Sequence, residues 1–306
     1  LVPAIHYPVY SRAALLNGAH VHLVPMQAES DYLADFESVP ADVARAAKLL
    51  ILNYPNNPTG AVASLEYFER AVRFCRRHGL LLVSDLAYSE LTFDGYVAPS
   101  VLQVPGALDV ALEFHSCSKS FNMAGFRIGF AVGNARALDT LTAYRSNMGY
   151  GAPTAVQRGA AHAFVHHRAL TAPILAEYQA RRDAVTATLK RAGWTVAPPL
   201  GAIYYWLRIP GGYNAWAWVQ ACMDQARVVI TPGHAFGEGG SGYFRISLVR
   251  EIDPLCDAVQ RVTALAPPPS VKTGRTRSDV RRKTPEPRRI SPEPRVPRTT
   301  RRSGEH

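Results

Sequence analysis

Short apolar runs alternate with segments of helical spacing along the first half of the chain. HVHLVPM (20–26) reads as a strand, and YLADFESVPADVARAA (32–47) reads as helical for much of its length. KLLILNY (48–54), LLLVSD (80–85) and VALEFHS (110–116) are almost continuously apolar, as strands buried on both faces are. Between the first two, SLEYFERAVRFCRRHG (64–79) sets Leu65, Phe68, Val72 and Phe74–Cys75 at helical spacing and stops at Gly79. Such alternation predicts an α/β fold with a mostly parallel sheet sandwiched by helices. RIGFAVG (127–133) follows VALEFHS too closely for a helical crossover, so it is predicted to run antiparallel. The second half opens with a long helical pattern (168–193) and continues into a smaller α+β unit. That unit holds GAIYYWLRI (201–209), a helix near 215–226, VVITPG (228–233), YFRISLV (243–249) and a closing helix (253–265).

Open parallel sheets bind ligands outside the carboxyl ends of their strands. Asn57 lies just past one such end, Asp85 closes the next strand, and Ser116, Ser118 and Lys119 follow the third. The antiparallel sense of 127–133 starts Arg127 at the same rim. Taken singly, each has a plain structural reading: NPTG (57–60) is a turn, Lys119 a solvated lysine, Asp85 a common strand end, Arg127 an ion-pair partner, Tyr7 part of a core. Their order and shared edge point instead to a site.

A lysine on such a rim can form a Schiff base with an aldehyde cofactor, most obviously pyridoxal phosphate. That cofactor needs a carboxylate at its pyridine nitrogen, which Asp85 can supply, and donors at its phenolic oxygen, which Asn57 and Tyr88 can supply. Its phosphate needs hydroxyls and a fixed cation, for which Ser116, Ser118 and Arg127 are suited. Tyr7 is available to stack on the ring.

Composition narrows the partners. The net charge of +10 would suggest nucleic acid, but residues 267–306 carry twelve Lys or Arg against four Asp or Glu, eight of those ten charges. The Pro/Arg-rich segment 266–306 cannot bury enough apolar surface to offset the entropy of ordering and is expected to be disordered. Any nucleic-acid or anionic partner would be a matter for that tail. Cys75, Cys117, Cys222 and Cys256 show no metal spacing and read as reduced thiols of a cytoplasmic protein, with no metal and no membrane segment expected. Starting at Leu1 within what reads as a strand, the chain has the look of a fragment or a processed product.

NYPNNPTG (53–60), SDLAYSEL (84–91) and SCSKSFNMAGFRIG (116–129) resemble the signature blocks of the fold-type-I, pyridoxal-phosphate-dependent aminotransferases of class I/II. The run 84–134 is similar in particular to the bacterial LL-diaminopimelate aminotransferases, and the resemblance extends over about residues 1–265. It implies a cofactor-binding large domain at 1–167, incomplete at its N-terminus, and a small domain at 168–265. It also implies roles: Lys119 as Schiff-base lysine and proton carrier, Asp85 on the pyridine nitrogen, Asn57 and Tyr88 on the phenolic oxygen. Ser116 and Arg127 would hold the phosphate, Tyr7 would stack on the ring, and Arg245 in YFRISLV would grip the substrate α-carboxylate beside Asn57.

The implied reaction is transamination between an amino acid, LL-2,6-diaminopimelate, and 2-oxoglutarate in lysine and cell-wall biosynthesis, by a homodimer. Within the fold, another amino-acid transaminase or a C–S lyase stays open, although Tyr88 three residues after Asp85 leans toward transamination. A non-catalytic fragment with an anion-binding tail is the alternative from another class. Where the family has a glycine-containing phosphate loop, in its longer N-terminal part, nothing in this chain replaces it. Cys117, Ala124 and Phe126 stand where Leu, Thr and Trp are expected, which puts the substrate in question more than the reaction. His234 and Trp206 read as pocket wall or core.

Overall fold

A computed structural model describes residues 1–149 and 151–269. Strand β1 (Val2–Pro3), helix α1 (Val9–Leu16) and strand β2 (Leu23–Val24) come first, and β1 pairs with β2 in parallel. Helix α2 (Ala41–Ala46) leads into β3 (Leu49–Asn53), α3 (Leu65–His78), β4 (Leu81–Asp85) and β5 (Ala111–Ser116). The one-turn helix α4 (Cys117–Ser120) and β6 (Gly129–Gly133) follow. These strands form one sheet in the order β3–β4–β5–β6, the first three parallel and β6 antiparallel, as the short connection after Ser116 demands. The fold is α/β, with a mixed, mostly parallel sheet.

Helices α5 (Ala135–Met148), α6 (Thr154–Val165) and α7 (His167–Arg191) lead to a second sheet. It is built from β7 (Tyr204–Arg208), β8 (Thr231–Pro232) and β9 (Tyr243–Ser247), with α8 (Ala215–Asp224) before β8 and α9 (Ile252–Thr263) at the end. Its order is β7–β9–β8, antiparallel throughout.

Local chemistry sets these boundaries. The Ser64 hydroxyl accepts from the Tyr67 amide at the start of α3, and Gly79 ends that helix in the left-handed region at φ +70°. Tyr67, Phe68, Ala71, Val72, Phe74 and Cys75 form its buried face, while Arg76, Arg77 and His78 sit in the last turn, where cations suit the helix dipole. The helix expected across 32–47 is broken. Phe36–Ser38 makes a 3-10 turn, Val39 is extended as the residue before a proline must be, and only Ala41–Ala46 is α-helical. Likewise only Leu23–Val24 of the apolar run 20–26 pairs as strand, because its partner β1 is two residues long.

Among the described residues there are three apolar clusters, two large ones and a small one of Cys117, Phe121, Ala160 and Ala163. Phe36, Leu50, Leu52, Phe68, Val72 and Leu82 belong to the first, around the four-stranded sheet. Val185, Leu189, Trp218, Phe244, Leu248 and Val259 belong to the second, which also takes in Tyr88 and Leu91 from the end of β4. A buried carboxylate on the central strand β5 is accommodated by hydrogen bonding. Glu113 accepts from the Ser100 hydroxyl at 2.7 Å, the Val101 amide at 2.9 Å and the Ser84 hydroxyl at 3.3 Å, and pairs with His115 at 3.0 Å. Strand β6 lies close against β5 because both its ends are glycine. A Cβ at Gly129 would stand 2.6 Å from the His115 carbonyl oxygen, and one at Gly133, at φ +134°, would meet the Ala111 carbonyl.

Among the described residues no helix is long and apolar enough to cross a membrane. The basic tail anticipated at 266–306 lies, from residue 270 onward, outside the described residues.

Burial of so many phenols and thiols makes stability sensitive to alkali. Desolvation pushes Tyr54 and Tyr205 up to about 12, and the Cys75 and Cys222 thiols likewise to about 12. The folded chain therefore keeps protons that the unfolded chain releases, and stability falls as pH rises from about 9 through about 12. Urea midpoints measured between pH 7 and 11 should be flat at first and drop above pH 9. A constant midpoint up to pH 11 would contradict this.

Candidate active site

The register of the sheet brings the rim residues together. Asn53 pairs with Asp85 across β3–β4, Asp85 with Phe114 across β4–β5, and Ser116 with Gly129 across β5–β6. Asn57, Asp85, Ser116, Ser118, Lys119 and Arg127 are thereby delivered to one edge of the four-stranded sheet.

The turn after β3 is knitted by asparagines. Asn53 accepts from the Asn57 amide at 2.9 Å and donates to the Asp85 carbonyl at 2.8 Å. Asn56 accepts from both the amide and the hydroxyl of Thr59, at 3.1 and 2.7 Å. Asn57 is buried and accepts at its side-chain oxygen from Arg245 Nη1, at 2.7 Å, which fixes its amide nitrogen as a donor with no partner among the described residues.

At the end of β4, Asp85 has both carboxylate oxygens engaged. Oδ1 accepts from the Ala87 amide at 3.1 Å, and Oδ2 accepts from the Tyr10 hydroxyl at 2.5 Å. Burial, followed by the neighbouring Asp85 charge, pushes the Tyr10 phenol well above its ordinary range, so it stays a donor. Tyr7 is 45% exposed and meets Tyr10 edge-on, ring centroids 6.0 Å apart.

Lys119 lies on α4, whose N-cap is Ser116: the Ser116 hydroxyl accepts from the Ser118 amide at 3.3 Å. The Lys119 ammonium stands 5.9 Å from the centroid of the Tyr88 ring. Tyr88 is buried, and its hydroxyl is 2.8 Å from that of Tyr204 on β7. Arg127 sits in the left-handed region at φ +53°, and its Nη1 donates to the Ala124 carbonyl at 2.9 Å.

Arg245, on β9, is the most unusual charge in the structure. Its guanidinium carbon lies 4.2 Å from the Tyr204 ring centroid and 4.7 Å from that of Phe236. Its Nε is buried and has no hydrogen-bond partner among the described residues. Desolvation lowers its pKa from the usual guanidinium range. Its contacts there are an amide oxygen and two ring faces rather than a carboxylate, an arrangement suited to receiving an anion.

Sequence reasoning passed over Tyr10 and Tyr204. The first stands three residues after Tyr7 in HYPVY, a helical spacing that places both on one side of α1's start. The second carries no signal of its own, since its meeting with Tyr88 and Arg245 depends on the pairing of β7 with β9.

The family profile described as aminotransferase class I and II matches residues 1–259. LL-diaminopimelate aminotransferase 2 of Trichormus variabilis is 44% identical over 262 residues, 86% of this chain and 67% of that protein. The LL-diaminopimelate aminotransferase of Desulforudis audaxviator has the same identity and coverage. Among solved structures, a probable N-succinyldiaminopimelate aminotransferase from Thermus thermophilus superposes with a TM-score of 0.81 at 37% identity, over 86% of this chain and 70% of that one. Substrate-bound BacF from Bacillus subtilis gives 0.85 at 34% identity, over 89% of this chain and 70% of that one. A profile match over most of the length, on a fold shared with these enzymes, makes this chain a member of the class I and II aminotransferases, which depend on pyridoxal phosphate.

Proposed function

We propose that the chain transfers the amino group of LL-2,6-diaminopimelate to 2-oxoglutarate, a step of lysine biosynthesis. The observation that carries the reading is Arg245, half-buried beside Asn57, whose buried Nε has no hydrogen-bond partner among the described residues, a ready seat for the α-carboxylate of an amino or oxo acid. The choice of diaminopimelate is supported by relatives of that name at 40–44% identity.

The residues present fit pyridoxal phosphate at its pyridine and phenolic ends. Asp85, fixed by Tyr10 and the Ala87 amide, offers a carboxylate to the ring nitrogen; Tyr88 and the side-chain amide of Asn57 offer donors to the phenolic oxygen. Ser116, Ser118 and Arg127 would hold the phosphate, with Arg127 Nη1 leaving the Ala124 carbonyl to do so, and Tyr7 would cover the ring. When bound, the cofactor supplies an electron sink for the pair left at the substrate's α-carbon.

The chain's own residues do the rest. Arg245 takes the α-carboxylate and sets the angle of the α-carbon. Lys119 would hold the cofactor's aldehyde carbon and is placed to move the proton at the substrate's α-carbon. Tyr88, kept protonated by burial and by Tyr204, holds its donor through the cycle. The same reading takes the working unit to be a homodimer and, from four free cysteines, a cytoplasmic one.

The test follows cofactor absorbance in half-reactions of the 306-residue chain with diaminopimelate, glutamate, aspartate and alanine. Diaminopimelate and glutamate should convert the bound cofactor, with kcat/KM for diaminopimelate at least about tenfold above aspartate and alanine, a margin of about 1.4 kcal/mol. Preference for aspartate or alanine would overturn the substrate and leave the family membership standing.

A further inference from the structure

Four side chains of the site form a continuous series. The Arg245 guanidinium lies 4.2 Å above the Tyr204 ring, the Tyr204 hydroxyl is 2.8 Å from the Tyr88 hydroxyl, and the Lys119 ammonium is 5.9 Å from the Tyr88 ring centroid. Tyr204 is buried at 8% exposure and meets Tyr88 edge-on, centroids 5.8 Å apart. It sits between the residue read as the carboxylate seat and the residue read as a donor to the cofactor.

Geometry alone leaves either phenol of the pair as the donor, but each has only one proton. The cation decides the direction. A guanidinium over a ring face attracts π-electron density, and in a buried place this attraction is strong. Density drawn toward Arg245 leaves the Tyr204 oxygen poorer in electrons, hence a better donor and a poorer acceptor. Lys119 acts on Tyr88 in the same sense but from 5.9 Å, so the nearer guanidinium favours Tyr204 as donor and leaves the Tyr88 proton for an outside acceptor. Donation into the Tyr88 oxygen also sharpens Tyr88 as a donor, because hydrogen bonds in a chain polarise one another. A carboxylate arriving on Arg245 cancels much of the charge above the ring, and each bond in the series weakens in turn.

We infer that Tyr204 is a positioning residue that conveys occupancy of the Arg245 carboxylate seat to the Tyr88 hydroxyl. The inference rests on the reading of Arg245 as the substrate-carboxylate site. It makes the cofactor's phenolic ligand a sensor of bound substrate: the donor is strongest while the seat is vacant and relaxes once a carboxylate is held. Tyr204 touches no reacting atom and acts only through Tyr88.

The experiment needs no cofactor. The 306-residue chain is labelled with [13Cζ]tyrosine, the Tyr88 and Tyr204 signals are assigned with Tyr88→Phe and Tyr204→Phe, and glutarate, which has no amino or oxo group to react, is titrated in. In the wild type both signals should move, saturating at the same glutarate concentration. In Tyr88→Phe the Tyr204 signal should still move. In Tyr204→Phe the Tyr88 signal should stay still while the Arg245 15Nε signal continues to report binding. This asymmetry is what a merely structural pair would not produce. Movement of Tyr88 in Tyr204→Phe as in the wild type overturns the relay alone, as does a wild type in which Tyr204 moves and Tyr88 does not. A wild type in which Arg245, Tyr204 and Tyr88 are all silent to glutarate overturns the carboxylate seat, and the relay with it. Should Tyr204→Phe lose the signal dispersion of a folded protein, the wild-type titration still tests the relay, which is overturned if Tyr204 moves and Tyr88 does not.

Discussion

Lys119→Ala is expected to lower turnover by about 10²–10⁴-fold from the loss of proton transfer alone, and to end covalent attachment of the cofactor. The expectation follows from where the lysine stands. α4 is capped by Ser116 without help from Lys119, whose described contact is the face of the Tyr88 ring. Removing the side chain should therefore cost little stability, within about 0.5 kcal/mol of the wild type, as for substitutions away from packed or capped positions. Borohydride should fix pyridoxal phosphate to the wild type, on the peptide that holds Lys119, and should fix nothing to the variant. A variant that keeps a borohydride-reducible absorbance band would remove Lys119 from its role.

Arg245→Lys should weaken every amino and oxo acid by a similar factor, whatever the side chain. A guanidinium offers parallel donors in a plane, and a lysine ammonium cannot reproduce that fork or lie flat between the rings of Tyr204 and Phe236. Truncating one partner of a buried, hydrogen-bonded charge pair costs about 2–5 kcal/mol, or roughly 30- to 5,000-fold in affinity. The substitution also leaves the Asn57 oxygen without its 2.7 Å donor, so the amide is free to rotate away from the cofactor. Affinities for glutamate, alanine and diaminopimelate, measured by calorimetry or by half-reaction kinetics, should fall in parallel. A loss confined to diaminopimelate would mean that Arg245 reads the distal end of that substrate.

How far the molecule can be read from its residues depends on whether each signal is local. The strands ending at Asn53, Asp85 and Ser116 are continuous apolar runs, and the sheet edge they share follows from the rule for parallel sheets. The reversal at β6 follows from chain length alone. Helix α3 has a serine cap, an apolar stripe and a glycine stop, and so its limits are plain. Helices α5 and α6 are harder. In α5, Leu138, Leu141, Tyr144 and Met148 recur at helical spacing, yet none of them is buried, so the stripe meets no core among the described residues. Across 32–47 the apolar spacing is helical but Pro40 is the stronger instruction. Tyr10 and Tyr204 act over 75 and 116 residues of sequence, on Asp85 and Tyr88 respectively, and separations of that kind are set by packing that no local pattern encodes.

The close approach of β6 to β5 has a bearing on how this chain can vary. Gly129 carries no chemistry, yet any side chain there would press on the carbonyl of His115, the residue before the cap of the helix that bears Lys119. The backbone would have to yield next to the cap of α4, the helix that bears Lys119. Substitution at position 129 is thus opposed by sterics alone, with no chemistry of the glycine's own involved. Neighbouring Phe130, 39% exposed, is under no such pressure. Along β6 the space for a side chain is thus closed at the two glycine ends, each by one carbonyl oxygen of β5, that of His115 and that of Ala111.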